Sequence, residues 1–348
     1  MEEMYKRKDL SDSKIELTIT MPRDAFEQSY KAILKDQTKD TNIKGFRKGK
    51  VPTDLLEPGM KPMLQFETFE RLAPMYINTA IQKEKLEIIA PPKYSELPDF
   101  KDDEKDLEFK VEITVMPKFK LGNLKKVKVE KEDGEIKDEE VDRVLKELKG
   151  NNESKEKEIG DDWAKEISKK LELKDVKNLE ELKKMVKDTL KKQKDHMLLH
   201  KYQEDALAQA IKISKIEMPE EAIQFEADER KRSFEEEMKN RGVKVEDFLK
   251  QSEVSMEEME EAWKKDGKEA LETDVFLNLY ADKNEIKVTK EELDKKIELI
   301  KKSQPDADAS IFSNDQWLEY IKRVEKKEKA FREFVKEVLG DKFLDEHN

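Results

Sequence analysis

The stretch LEFKVEITV, residues 107–115, places Leu107, Phe109, Val111, Ile113 and Val115 on one side and charged residues or Thr on the other. A period of two with one apolar face is a strand half-buried on a sheet. Pro117 ends it. An earlier stretch carries the same signal, with Ile15, Leu17, Ile19 and Met21 alternating with polar residues. Ile88-Ile89-Ala90-Pro91-Pro92 reads as the end of a third, short strand. Between the first strand and these last two, the period changes to 3.6. Phe26, Tyr30, Ile33, Leu34 and Gln37 place an amphipathic helix over Asp24–Thr41, and a second helix is expected from near Pro52 to Ile81. It carries Leu55, Leu56, Met63, Leu64, Phe69, Leu72 and Tyr76 on its apolar side, with an irregular first part at Pro58 and Pro62. The order β-α-loop-α-β-β predicts an α+β domain over residues 1–117, a small antiparallel sheet under two helices.

Beyond Pro117 the sheet signal fades. Val127 and Val129 suggest one extended segment, and Asp138 opens a helix with Val141, Val144, Leu145 and Leu148 that Gly150 is expected to stop. Residues 151–160, NNESKEKEIG, read as a polar connector, so 118–160 form a linker region. Residues 161–348 read as almost entirely helical, a body with arm-like helical extensions. One helix runs past 30 residues from Leu179 to Ile213. Another starts at Pro219 and stops at Gly242. Ser255 with Glu258, and Thr289 with Glu292, have the spacing of capping boxes. A last helix is expected over Asp315–Leu339.

Composition sets limits on function. Charged residues make up 44% of 348 residues and hydrophobic ones 36%, against about 25% charged in an average soluble chain. This argues against one large core and for long helices with narrow apolar stripes. The net charge of −12 argues against a protein that coats nucleic acid through a broad basic face. There is no Cys, which removes disulfides and thiolate chemistry. The first ten residues lack the apolar core of a signal peptide, and no run approaches a membrane span. A soluble cytoplasmic protein with no membrane partner is expected. No phosphate-binding glycine motif is present, so action without ATP and without a cofactor is expected. His196 and His200 have the spacing of two metal ligands on one helix face, but the only other histidine is His347, and no metal site is assigned. Carboxylates are too numerous to identify a catalytic residue.

Against this acidic background, the window from Lys39 to Lys50 holds Lys39, Lys44, Arg47, Lys48 and Lys50 against Asp40 alone, a local excess of four positive charges. Gly45 and Gly49 bracket Phe46-Arg47-Lys48 and let the backbone turn tightly. Arg47 offers a planar fork for phosphate or carboxylate, Lys48 and Lys50 are point charges, and an aromatic between a Gly and two cations suits a surface that is part protein and part RNA. A solvated turn whose cations balance nearby carboxylates is the plainer reading, and composition does not separate the two.

The string GFRKGKVP, residues 45–52, resembles the ribosome-docking signature of bacterial trigger factor. SDSKIELTITMP, EVDRVLKELKG, IEMPEEAIQFEADER and the helical stretches after Ser255 are similar to the rest of that family, so nearly the whole chain is covered. The resemblance implies that Phe46, Arg47 and Lys48 dock on the large ribosomal subunit beside the tunnel exit, against a ribosomal protein and ribosomal RNA. Gly45, Gly49, Lys50, Pro52 and Lys44 would shape and support the loop. The other partners implied are nascent or unfolded polypeptides, with a homodimer away from the ribosome. Client-contact residues are not assigned. Family members insert a prolyl isomerase domain of the FKBP type where this chain has ten residues, so no isomerase activity is expected. A prolyl isomerase with a diverged site and a ribosome-independent assembly chaperone are the alternatives.

Overall fold

The computed structural model describes residues 4–38, 53–102, 105–130, 132, 134–152, 156, 158–173, 176–304 and 310–340. The chain forms two compact units. One comprises Met1–Lys118 with Glu217–Leu271, the other Phe119–Ile216 with Glu272–Asn348.

The first unit holds a four-stranded antiparallel sheet, β1 (Tyr5–Asp9), β2 (Lys14–Met21), β3 (Lys93–Glu96) and β4 (Leu107–Thr114), in the order β1-β2-β4-β3. In the central pair, Leu17 faces Val111 and Ile19 faces Phe109, so the two alternating stretches bury one common face. Onto it pack α1 (Arg23–Thr38) and α2 (Thr53–Glu84). The core joins Ile15, Leu17, Ile19 and Met21 to Phe26, Ile33, Leu64, Phe69 and Ala73. Phe69 meets Phe109 edge-on at 5.0 Å, a geometry that adds to area burial.

Three features depart from the sequence expectation. β1 is a strand with the sequence YKRKD, in which Tyr5 alone carries apolar surface toward the core. It forms because a short turn, with Leu10 N–H donating to Lys14 O at 2.9 Å, returns the chain as a hairpin along β2. The strand expected over 88–92 is displaced. Ile88 makes one bridge to Val115, and the ladder proper is β3 at Lys93–Glu96. Pro91 and Pro92 have no N–H to donate, so pairing resumes after them. Helix α2 is continuous through Pro58, Pro62 and Pro74. Each removes one donor, and burial of Leu64, Phe69, Ala73, Tyr76, Ile77 and Ala80 holds the helix through those gaps.

The same unit contains α6 (Glu220–Asn240), α7 (Val245–Ser252) and the first part of α8 (Met256–Lys283). Pro219 caps the start of α6, and Gly242 follows its end at φ +69°, a conformation glycine adopts without strain. Phe234 packs on Phe248 at 5.4 Å and on Trp263 at 5.5 Å. Ser255 Oγ and the Glu258 carboxylate close the expected capping box, at 3.2 and 2.8 Å.

In the second unit, α3 (Asp138–Asn151), α4 (Asp161–Lys170) and α5 (Leu179–Ser214) enclose a separate core of Val141, Leu145, Trp163, Ala164, Ile167, Leu182 and Val186. Gly150, the expected stop of α3, lies inside its last turn. Asn152 closes the end instead, its Nδ2 donating to Leu148 O at 2.9 Å. The segment before α3 runs along α5, held by a two-way bond between Gln209 and the backbone of Lys128 at 3.0 and 2.9 Å. Further on, α9 (Lys290–Ser303) and α10 (Asp315–Leu339) pack together, and Phe276 of α8 meets Phe334 of α10 at 4.9 Å. Among the described residues no helix is long and apolar enough to cross a membrane.

Candidate functional site

Lys44, Gly45, Phe46, Arg47, Lys48, Gly49, Lys50 and Pro52 all lie outside the described residues. The structure describes their frame. Helix α1 ends at Thr38 and α2 begins at Thr53, so the fourteen residues between them leave from and return to two helices that share one core. Phe26 stacks on Tyr30 at 6.3 Å and touches Phe100 at 5.8 Å, and Phe100 also meets Phe69 of α2 at 6.2 Å. At the start of α1, Arg23 N–H donates to Asp106 Oδ1 at 2.8 Å, and the Arg23 guanidinium pairs with Glu27 at 2.9 Å. Near its end, Gln37 Nε2 lies 3.4 Å from both carboxylate oxygens of Glu67 on α2. These contacts tie both helices to the sheet and to each other. On the outer side of α2, Met63 (55% exposed) and Phe66 (42%) leave apolar surface in solvent.

Other exposed apolar side chains include Met75 on α2 and Leu171 and Met197 in the second unit, and a further set lies on the helical hairpins. In the first unit they are Val243 and Val254, flanking α7. In the second they are Leu299, Ile311 and Tyr320 on α9, α10 and the turn between them. Sequence periodicity could not single these out. Leu299 belongs to the same run of apolar residues as Leu293, Ile297 and Ile300, and only tertiary packing decides which of them is covered.

An open cleft of about 670 Å³ is lined by Glu135, Ile136, Lys137, Asp138, Lys187 and Lys194. Two of its cations are engaged within the lining. Lys187 pairs with Asp138 at 3.2 Å, and Lys194 donates to Glu135 O at 2.8 Å. Nothing in that lining combines a nucleophile with a base. His196 and His200 bring their Nε2 atoms to 3.3 Å of each other on the exposed side of α5.

A family model described as bacterial trigger factor protein matches residues 4–148, and one described as the C-terminus of the same protein matches residues 178–336. The trigger factor of Halothermothrix orenii is 24% identical, over 99% of each chain. That of Staphylococcus carnosus is 23% identical, over 81% of this chain and 84% of its own. A solved structure, from work on promiscuous substrate recognition in the folding and assembly activities of the trigger factor chaperone, superposes with a TM-score of 0.53 at 18% identity, covering 95% of this chain and 99% of the other. The alignment with the Halothermothrix protein runs to 443 positions over a chain of 348 residues, which leaves at least 95 positions without a residue from this chain.

Proposed function

This chain belongs to the bacterial trigger factor family, and from that premise we propose that it is an ATP-independent chaperone tethered beside the exit tunnel of the large ribosomal subunit. The feature that supports this reading is the sequence GFRKGKVP, residues 45–52, which chain order puts between α1 and α2. Phe46, Arg47 and Lys48 make the contact, Phe46 against a ribosomal protein and the cations against ribosomal RNA. Lys44, Gly45, Gly49, Lys50 and Pro52 shape the loop. Residues 1–117 act as the tether domain, 118–160 as the connector and 161–348 as the body that holds clients.

Clients are nascent or unfolded polypeptides. The exposed Leu299, Ile311, Tyr320, Val243 and Val254 support weak, multi-point apolar contacts set among charges. Such contacts release without nucleotide, and the tether raises the local concentration of the growing chain, so modest affinity suffices. The protein works in the cytoplasm and pairs with a second copy when off the ribosome.

The chain acts without prolyl isomerase chemistry. The 95 or more positions that it lacks against the Halothermothrix protein support this reading, as does the unmatched stretch between the two family models. A proline-limited refolding assay tests it: the rate stays that of the uncatalysed reaction at substoichiometric protein. Cosedimentation with ribosomes tests the tether. An ionic contact holds at low salt and weakens as salt rises.

A further inference from the structure

We infer that His196 and His200 form an exposed bis-imidazole clamp for a divalent transition ion, with Zn²⁺ as the ion that its geometry fits. The two Nε2 atoms lie 3.3 Å apart, with ring centroids at 4.4 Å and the rings inclined by 73°. Two imidazole nitrogens bound to zinc at about 2.0–2.1 Å with a tetrahedral angle stand about 3.3–3.4 Å from each other. The pair already stands at the edge length of such a site; without the ion the same contact is an N–H···N hydrogen bond, which the ion replaces as the donor ring's proton moves to its Nδ1. Both Nε2 atoms would present lone pairs, and each Nδ1 would carry its ring's proton.

The charges around the pair support the assignment. Lys191, Lys194 and Lys201 project from the other side of α5, by the 100° step of the helix. They are engaged there with Asp195 and Gly134 O, with Glu135 O, and with Glu132. These three cations are therefore turned away from the imidazoles. One turn from the pair on its own face stand Lys192 and Glu204, whose charges balance. Among the described residues no group of three or more His, Cys, Asp or Glu is placed to hold an ion. The clamp therefore supplies two ligands, and water fills the remaining positions. Such a site binds reversibly and closes a ring across one turn in the middle of a 36-residue helix.

The test is a titration of the full chain with zinc chloride in a non-coordinating buffer, followed by calorimetry and by NMR of the imidazole resonances. The expected result is one ion per chain, with the rings of His196 and His200 shifting together. His196→Ala and His200→Ala each weaken binding at least tenfold, because a two-point attachment becomes one-point. The double variant loses the specific phase. Both histidines are exposed, and alanine favours the helix, so these variants fold. Amide exchange around residues 196–204 slows with zinc in the parent chain and is unchanged in the double variant. Absence of ring shifts at millimolar zinc, or undiminished one-to-one binding by the double variant, overturns the assignment.

Discussion

Lys14, on the second strand of the sheet, donates to the carboxylate of Glu221 in the first turn of α6, a partner 207 residues further along the chain. Both side chains are partly shielded, at 35% and 20% exposure. The bond from Lys14 holds the Glu221 carboxyl below the usual carboxylate range, and the same bond raises the Lys14 ammonium. The first unit is thus stitched together from the two ends of a long excursion through the second.

A double-mutant cycle of Lys14→Met and Glu221→Gln, read by urea unfolding, should return a coupling of about 0.5–1 kcal/mol. The pair is not fully desolvated, so the coupling should shrink as salt is raised.

Trp163 has 0% exposure, and its indole N–H has no hydrogen-bond partner among the described residues. Trp163→Phe removes an unpaired donor along with part of the ring, and the two effects oppose each other. Its unfolding free energy should stay within about 1 kcal/mol of the parent, whereas Trp163→Ala should cost about 3–5 kcal/mol. Denaturant titration of the two variants side by side checks the contrast.

Gly122 approaches α5 so closely that a Cβ built on it would stand 2.6 Å from Ile213 O, while its own N–H donates to Ser214 Oγ at 3.0 Å. The clash is with backbone, which cannot swing aside. Gly122→Ala should therefore destabilise by about 1–3 kcal/mol, with faster amide exchange at the end of α5.

Glu292 caps α9. Lys329, the backbone N–H of Thr289 and the Thr289 hydroxyl hold its carboxyl down at about 2, from an ordinary 4.5. A carboxylate depressed in the folded state contributes stability that is present above its unfolded pKa and lost as pH falls through the folded one. Between pH 4.5 and about 2 the parent should lose more stability than Glu292→Gln, and above that window the parent should be the more stable. Thermal melts of both proteins across the window, with NMR titration of the Glu292 carboxyl, provide the measurement.

Much of this architecture was legible in the residues because single local rules determined it. Strict alternation fixed β2 and β4, and capping chemistry at Ser255 and Thr289 marked the starts of α8 and α9. Asn314 and Gly340 bound α10 where the periodicity ended. Failures came where a tertiary partner overrode the local signal. β1 carries almost no apolar pattern and exists through its pairing with β2. Gly150 has the character of a helix stop, yet it stays helical because Val141 and Leu145 anchor α3 on Trp163 and Leu182. The docking role proposed for residues 44–50 and Pro52 rests on a sequence motif alone, and those residues lie outside the described ones. The imidazole separation was not legible, since spacing alone leaves the rotamers open.

The central claim is that Phe46, Arg47 and Lys48 form the ribosomal tether, and the most direct measurement is cosedimentation of the parent chain and of Phe46→Ala/Arg47→Ala/Lys48→Ala with ribosomes at low salt. The account predicts that the parent pellets with the large subunit and that the triple variant stays in the supernatant while keeping the parent's circular dichroism and melting temperature. Equal pelleting of the two proteins would contradict it.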